Sequence, residues 1–322
     1  MNERAVDVSI LIVNWNGQRV LGNCLASLQS GHQDIRLEAI VVDNASTDGS
    51  ADLVPRAFPE VVLIRNESNR GFAAANNQAS GRANGRYLLF LNNDTVVPPG
   101  TIGRLVQYLD EHPDVVAAGP KLIGEDGLPQ RSGRNLPTLG ALMHRGVLPV
   151  RWTHLFARPY RDYRHAFDPN VSGAVPQLAA AALLMRREVF AQIGGWDESF
   201  QFGVEDVDFC LRLARLGAIH YLADAQITHL GRVSSHLNRG WVFRSYQCGY
   251  VKYFRKHHPN RLAPLAYKVG ITIDAPIRLL PLVIKVGLSR LAGRREEANR
   301  SARRAAAIWF FLTRGLVQFW KA

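Results

Sequence analysis

The sequence predicts an α/β protein whose central sheet is mostly parallel and covered by helices on both faces, followed by a helical, basic C-terminal extension. Three observations lead there. Over the first 120 residues, short apolar runs alternate with helical patterns. Several of those runs end abruptly in Asn or Asp, and all of the excess positive charge lies beyond residue 239.

The first strand is VSILIVN, residues 8–14, preceded by charges of both signs and too short for a secretory leader, so a cytoplasmic protein is expected. A helical run covers 19–29, then LEAIVVD gives a strand over 37–43, with a short helix near 50–57. VVLIR (61–65), a helix near 72–83, RYLLFLN (86–92), a helix near 100–111 and VVAAG (115–119) continue the alternation. Such a series requires right-handed crossovers and buries parallel strands from both sides. Open sheets of this kind bind ligands at the carboxyl ends of their strands. There the sequence places Asn14 and Asn16, Asp43 and Asn44, Asn69 and Arg70, and Asn92 to Asp94. Residues 124–175 are rich in Gly, Pro, Arg and aromatics without clear periodicity, and read as a long loop region of the lid or binding kind. Order returns with LAAAALLMRREVFAQIGGWDESF and VEDVDFCLRLARLGAIHYLADAQITHLG.

A chain of 322 residues with 47% hydrophobic content can bury a large core. Its three cysteines, Cys24, Cys210 and Cys248, form no C-x-x-C pair, which argues against a disulfide framework or zinc site and suits a reducing compartment. No glycine-rich dinucleotide or P-loop signature follows the first strand, so phosphate must be held by other means. A divalent cation on carboxylate oxygen would serve, and Asp94 is placed to hold one; NNDT is also what a simple Asx turn requires. Asp43 can accept the imide N–H of a uracil or thymine ring, or merely precede a helix cap. NRGFAAANN, residues 69–77, sets a glycine turn before a helix whose first amides can face a nucleotide. On the helix of EDVDFCLRLARLG, residues Glu205, Asp208, Arg212 and Arg215 share one charged face, while Asp206 falls with Cys210 and Leu213 at the margin of the apolar face. That margin suits a carboxylate at a cleft wall; acidic residues in a first turn also complement the helix dipole. His229, at a strand exit, completes with Asp94 a mixed oxygen and nitrogen site suited to magnesium or manganese, or serves as a structural hydrogen-bonder.

Taken in order, VSILIVNWNG, VVDNASTDGS, NRGFAAANN, LLFLNNDTVVPPG, GGWDESF, EDVDFCLRLARLG and HLGRVSS resemble the inverting family 2 glycosyltransferases of GT-A fold, and most of all their rhamnosyltransferase-like branch in bacterial surface polysaccharide synthesis. The resemblance implies that Asp43 reads the base, that Asn92, Asn93 and Asp94 occupy the D-x-D metal position, that His229 is the second protein ligand to the metal and that Asp206 is the catalytic base. It implies a nucleotide-sugar site of Asn14, Asn16, Asp43, Arg70, Gly71, Asn76, Asn92 and Asn93, and an acceptor side with Gly195, Trp196 and Glu205. The expected donor is a nucleotide-diphospho-sugar, best dTDP-rhamnose, or another UDP- or dTDP-sugar; the expected acceptor is a glycan, lipid-linked. Two departures stand out: Asn92 replaces the first D-x-D carboxylate, and LAAAA at 178–182 stands where the family shows W-x-S-G-A, with VSGA at 171–174 as a displaced candidate.

The implied domains are a transferase domain over 1–239, with a nucleotide-sugar-binding half at 1–120 and an acceptor and catalytic half at 121–239, and an extension over 240–322. That extension holds 16 Lys and Arg against 3 Asp and Glu, net +13, whereas the other 239 residues hold 23 against 24. Asp274, Arg278 and Lys285 share one helical face, and Arg303, Arg314 and Lys321 repeat the arrangement opposite Ile308, Leu312, Leu316 and Phe319. Charges interrupt every apolar stretch, so no spanning helix is expected. The pattern describes helices lying on anionic lipid of the inner leaflet, or a helical core. A non-enzymatic nucleic-acid-binding protein would use the basic tail but leave the strand-exit residues and Asp206 unexplained, so no nucleic acid is expected as partner.

Overall fold

The computed structural model describes residues 6–29, 35–147, 150–151, 153–164, 167–231 and 239–322. The end of the HLGRVSS stretch, 232–235, lies outside them. Two compact units emerge: Met1–Leu136 with Ala166–Ser199 and Glu205–Ser234, and Pro137–His165 with Phe200–Val204 and Ser235–Ala322.

The first unit is built on strands β1 (Val8–Asn14), β2 (Leu37–Asp43), β3 (Val62–Arg65), β4 (Tyr87–Asn92), β5 (Thr95–Val96), β6 (Val115–Ile123), β8 (Gly173–Ala174), β10 (Ala182–Arg186) and β11 (Ala218–His229). They form one sheet in the order β3-β2-β1-β4-β10-β6-β11-β5, with β8 on β11. β1, β2, β3 and β4 are parallel, as are β6 and β11. The fold class is thus as expected. β10 runs antiparallel between β4 and β6, a reversal that the first 120 residues give no sign of.

Strands β1 and β4 are buried on both faces because their runs are almost wholly apolar, while the edge strand β3 is partly exposed. Alternation then deals side chains to opposite cores. Ile10, Ile12, Leu89 and Leu91 join Leu21, Leu25, Ile102 and Leu105 from helices Leu21–Leu28 and Thr101–Glu111. Leu11, Leu88 and Phe90 join Ala75, Phe190 and Phe209 from helices Phe72–Ser80, Arg187–Gln192 and Glu205–Leu213. Register matters most for function: Asn14 lies opposite Asp43 and Val13 opposite Asn92, so three polar strand ends emerge at one level of the sheet edge.

The reading of 124–175 as one long loop is corrected. β6 runs on to Ile123, and a tight turn follows in which Gly124 N donates to Leu128 O (2.8 Å). β7 (Gly133–Arg134) then pairs antiparallel with β9 (Gln177–Leu178). Helices Leu139–Gly146 and Ala157–Arg164 belong to the second unit. Their weak apolar patterning hid them.

The second unit is helical: Arg239–His257, Ala263–Leu291, Arg295–Phe310 and Leu316–Lys321, with a π-turn at Phe311–Gly315. An aromatic core of Tyr250, Phe254, Tyr267, Phe311 and Phe319 holds it together. Ile308 and Phe319, expected on a lipid-facing side, are buried in this core. The pairing of charge on Ala263–Leu291 is also reversed from expectation: Asp274 is buried, ion-paired to Arg278, and Lys285 pairs with Glu297 at 2.8 Å. Among the described residues no helix is long and apolar enough to cross a membrane. All three cysteines carry free thiols.

Candidate active site

Asn14 is the hub of the strand exits. Fully buried, its Nδ2 donates to Asp43 Oδ1 (2.9 Å) and Ser50 Oγ (2.8 Å), while its Oδ1 accepts from Asn93 Nδ2 (2.8 Å). Both ends of the amide are therefore consumed inside the protein, and Asn14 ties Asp43 to the NND turn instead of presenting itself to a ligand. Gly17 is obligatory here, since a Cβ would stand 2.3 Å from Asn14 Oδ1 and 2.4 Å from Asn93 Nδ2. Asn16 adopts a left-handed φ of 51°, tolerable for Asn, and its Oδ1 accepts from Thr47 N at 2.9 Å. Asp43, 4% exposed, receives Ser46 N on its second oxygen (3.0 Å) and so is fixed at both oxygens. Asn44 links this exit to the next: its Oδ1 accepts from Arg70 N (3.2 Å) and its Nδ2 donates to Gly71 O (3.1 Å). The Arg70 side chain is exposed.

Three predicted residues pack against protein. Asn76 is buried and bonds back to Phe72 O of its own helix at 3.0 Å, so it does not reach the exits. Its neighbour Asn77 bonds the GGWDE loop instead, donating to Trp196 O and accepting from Trp196 N, each at 2.9 Å. Trp196 is a core residue, 2% exposed and stacked on Phe209 at 3.9 Å, which leaves no ring face for a sugar. Gly195 has φ 74° and abuts Asn77 and Phe190, so its missing side chain makes room for protein.

At the end of β4, Asp94 is 6% exposed and its Oδ1 lies 3.3 Å from His229 Nε2. The β5–β11 pairing, His229 opposite Thr95, brings the two together. Asn92 Nδ2 lies 3.3 Å from the same ring nitrogen. Gln130 fixes the ring: its Nε2 donates to His229 O (2.7 Å), which turns its Oε1 onto His229 Nδ1 (2.7 Å). An amide oxygen only accepts, so Nδ1 carries the proton and, in the neutral ring, Nε2 offers a lone pair toward a carboxylate oxygen. Two electron-pair donors so disposed fit a divalent cation between them. Among the described residues no group of three or more His, Cys, Asp and Glu that could hold a metal is found.

Asp206, part-exposed, sits in the first turn of Glu205–Leu213. Burial pushes its carboxyl up from the ordinary value, against the opposing influence of the Arg134 charge and of hydrogen bonds from Val207 N and Gln177. Gln177 Nε2 donates to Oδ2 at 3.3 Å, and Arg134 and Gln177 are cross-strand partners in the β7–β9 ribbon. Glu205 is buried beside it in sequence. The expected charged face is internal except at Arg215, which is exposed: Asp208 is fully buried and bonded to Arg212 at 2.8 Å, and Arg212 also donates to Ile193 O and Gly195 O. Sequence reading missed Gln130, Gln177, Arg134 and Asn77; the first three lie in or beside the aperiodic segment.

Comparison with known proteins bears on this geometry. The chain is 28% identical over 206 residues to an N-acetylglucosaminyl-diphospho-decaprenol L-rhamnosyltransferase of Mycobacterium tuberculosis, covering 60% of this chain and 66% of that protein, a little under two thirds of its length. It is 30% identical over 220 residues to the O-antigen biosynthesis protein RfbC of Myxococcus xanthus, covering 65% of this chain and 16% of the relative. Among solved structures, a mannosyltransferase from Pyrobaculum calidifontis in complex with GDP-Man and Mn2+ matches with TM-score 0.55 at 18% identity, over 96% of this chain and 88% of that one. The S. aureus TarS 1–349 complex with UDP matches with TM-score 0.52 at 16% identity, over 83% and 70%. These likenesses show a GT-A-like fold. The model of the family described as Glycosyl transferase family 2 matches residues 9–194, more than half of the chain, and to that family this chain belongs.

Proposed function

We propose that this protein transfers a sugar, with inversion, from a nucleotide-diphospho-sugar to a hydroxyl of a lipid-linked glycan during bacterial polysaccharide synthesis. The observation that carries the reading is the pair Asp94 and His229, oriented by Gln130 and set beside the Asp43 exit. Asp43, braced by Asn14 and Ser46, accepts the imide N–H of a pyrimidine base. Asp94 and His229 would hold magnesium or manganese, and Asn92 lies within reach of the same point. A cation bound there neutralises charge growing on the leaving diphosphate. Asp206 takes the proton of the acceptor hydroxyl as that oxygen attacks the anomeric carbon, and its raised proton affinity suits a base. Gln177 and Arg134 hold and tune that carboxylate.

The rhamnosyltransferase relative supports dTDP-rhamnose as donor and a polyprenyl-diphosphate-linked acceptor. Residues 1–120 serve the nucleotide-sugar, 121–239 the acceptor and the proton transfer, and 240–322 association with the cytoplasmic face of the membrane. Incubation with a panel of nucleotide sugars and manganese, followed by linkage analysis, is the test. Transfer from dTDP-rhamnose with inverted configuration is expected; turnover of no nucleotide sugar by the full-length protein would overturn the reading.

A further inference from the structure

The helix Ala263–Leu291 turns its charge inward and its apolar side chains outward. Lys268 and Asp274 are 6% and 3% exposed, whereas Leu265, Val269, Ile273, Leu280, Ile284 and Leu291 range from 42% to 88% exposed. At the helical advance of 100° per residue these six fall in one sector about 100° wide that contains no charged residue. Asp274, Arg278 and Lys285 fall on the opposite side, where Asp274 and Arg278 pair with each other and Lys285 with Glu297. At 1.5 Å per residue the stripe runs for about 39 Å. Near its start it borders an apolar groove of about 510 Å³, lined by Met143, Val147, Leu262 and Val269 among others.

From this arrangement we propose that the outward stripe of Ala263–Leu291 is the surface by which the protein docks on an anionic lipid bilayer; the proposal deepens the reading of a lipid-linked acceptor and rests on it for its purpose. Three features select lipid over a second copy of the chain. Residues 240–322 carry a net +13, so two copies meeting here would repel, whereas an anionic leaflet attracts them. The exposed apolar positions keep a 3.6-residue period and do not follow the 3.5-residue period of a supercoiled pair. Trp320, 41% exposed, donates from Nε1 to Thr272 Oγ1 at the edge of the stripe, the place where interfacial indoles anchor.

The test is flotation of the full-length protein with phosphatidylglycerol-containing and with pure phosphatidylcholine vesicles, for wild type, the double variant Ile273→Glu/Leu280→Glu, and the control Val62→Glu, whose side chain is 45% exposed in the first unit. Wild type and control should float with the anionic vesicles, and the double variant at least about tenfold less, since each lost apolar contact alone accounts for about that factor. Both substitutions are at exposed positions, and circular dichroism should show unchanged helix content. Independently of any variant, brominated phosphatidylglycerol should quench wild-type tryptophan emission. Equal flotation of wild type and double variant, no flotation or quenching of wild type, or a wild-type dimer that the double variant dissolves would each overturn the proposal. Donor turnover measured on the same samples separates the two readings: turnover without flotation removes the docking surface alone, and flotation without turnover removes the reaction alone.

Discussion

At the scale of single residues, Asp206 is the proposed proton acceptor and Gln130 orients the His229 ring. Asp206→Asn keeps the shape but removes the proton acceptor, so kcat should fall about 10² to 10⁴-fold with donor affinity nearly intact. Burial raises the Asp206 carboxyl, so on the acid side activity should be lost at a higher pH than an ordinary aspartate would give. Arg134 opposes that shift, so Arg134→Gln should move the acid limb of kcat/KM to still higher pH. For stability the sign is the reverse of the usual carboxylate: the fold favours protonated Asp206, a contribution present at low pH and lost as pH rises through the raised value. Gln130→Leu leaves His229 without its orienting acceptor and should weaken manganese binding by about 10 to 100-fold, measured by calorimetry on the protein without donor. Asp43 and Asp94 could be located at strand exits from sequence because the runs before them are apolar and end buried. Gln130 could not, because its partner is 99 residues away. Asn76 and Asn77 differ by one step of a helix, and nothing in the local pattern says which of them turns toward Trp196.

At the scale of elements, the helix Glu205–Leu213 is held by a buried ion pair that also carries the loop containing Gly195 and Trp196. Arg212→Met removes the cation paired with buried Asp208 and releases the carbonyls of Ile193 and Gly195; a loss of about 3 to 5 kcal/mol in denaturant midpoints converted to stability is expected. Replacing both partners, Arg212→Met with Asp208→Leu, should recover much of it, because no buried charge is then left without its cation. A double variant as unstable as the single one would show that the carbonyl contacts, not the lost cation, dominate. Spacing alone identified the charged face of this helix but did not say how much of it would be buried. Charges that neutralise each other can be turned inward, and the same reason inverts Ala263–Leu291, where Asp274 and Arg278 satisfy one another.

At the scale of the molecule, the alternation of strands and helices made the sheet legible, since unbroken apolar runs admit few other packings. The antiparallel β10 was not legible, because a short buried strand reads alike in either direction. What the sheet achieves is register: β1, β2 and β4 deliver Asn14, Asp43 and Asn92 to one level, and Gly17 leaves the space in which Asn14 meets Asn93. Gly17→Ala should therefore lower nucleotide affinity without touching any ligand, as Asn14 and Asn93 are driven apart. The most direct test of the donor site is a calorimetric titration of dTDP into wild type and Asp94→Ala, each with and without manganese. Wild type should bind dTDP more tightly when manganese is present, and Asp94→Ala, still folded, should bind it with one affinity in both conditions; manganese strengthening dTDP binding equally in both proteins would contradict the assignment of Asp94 and His229.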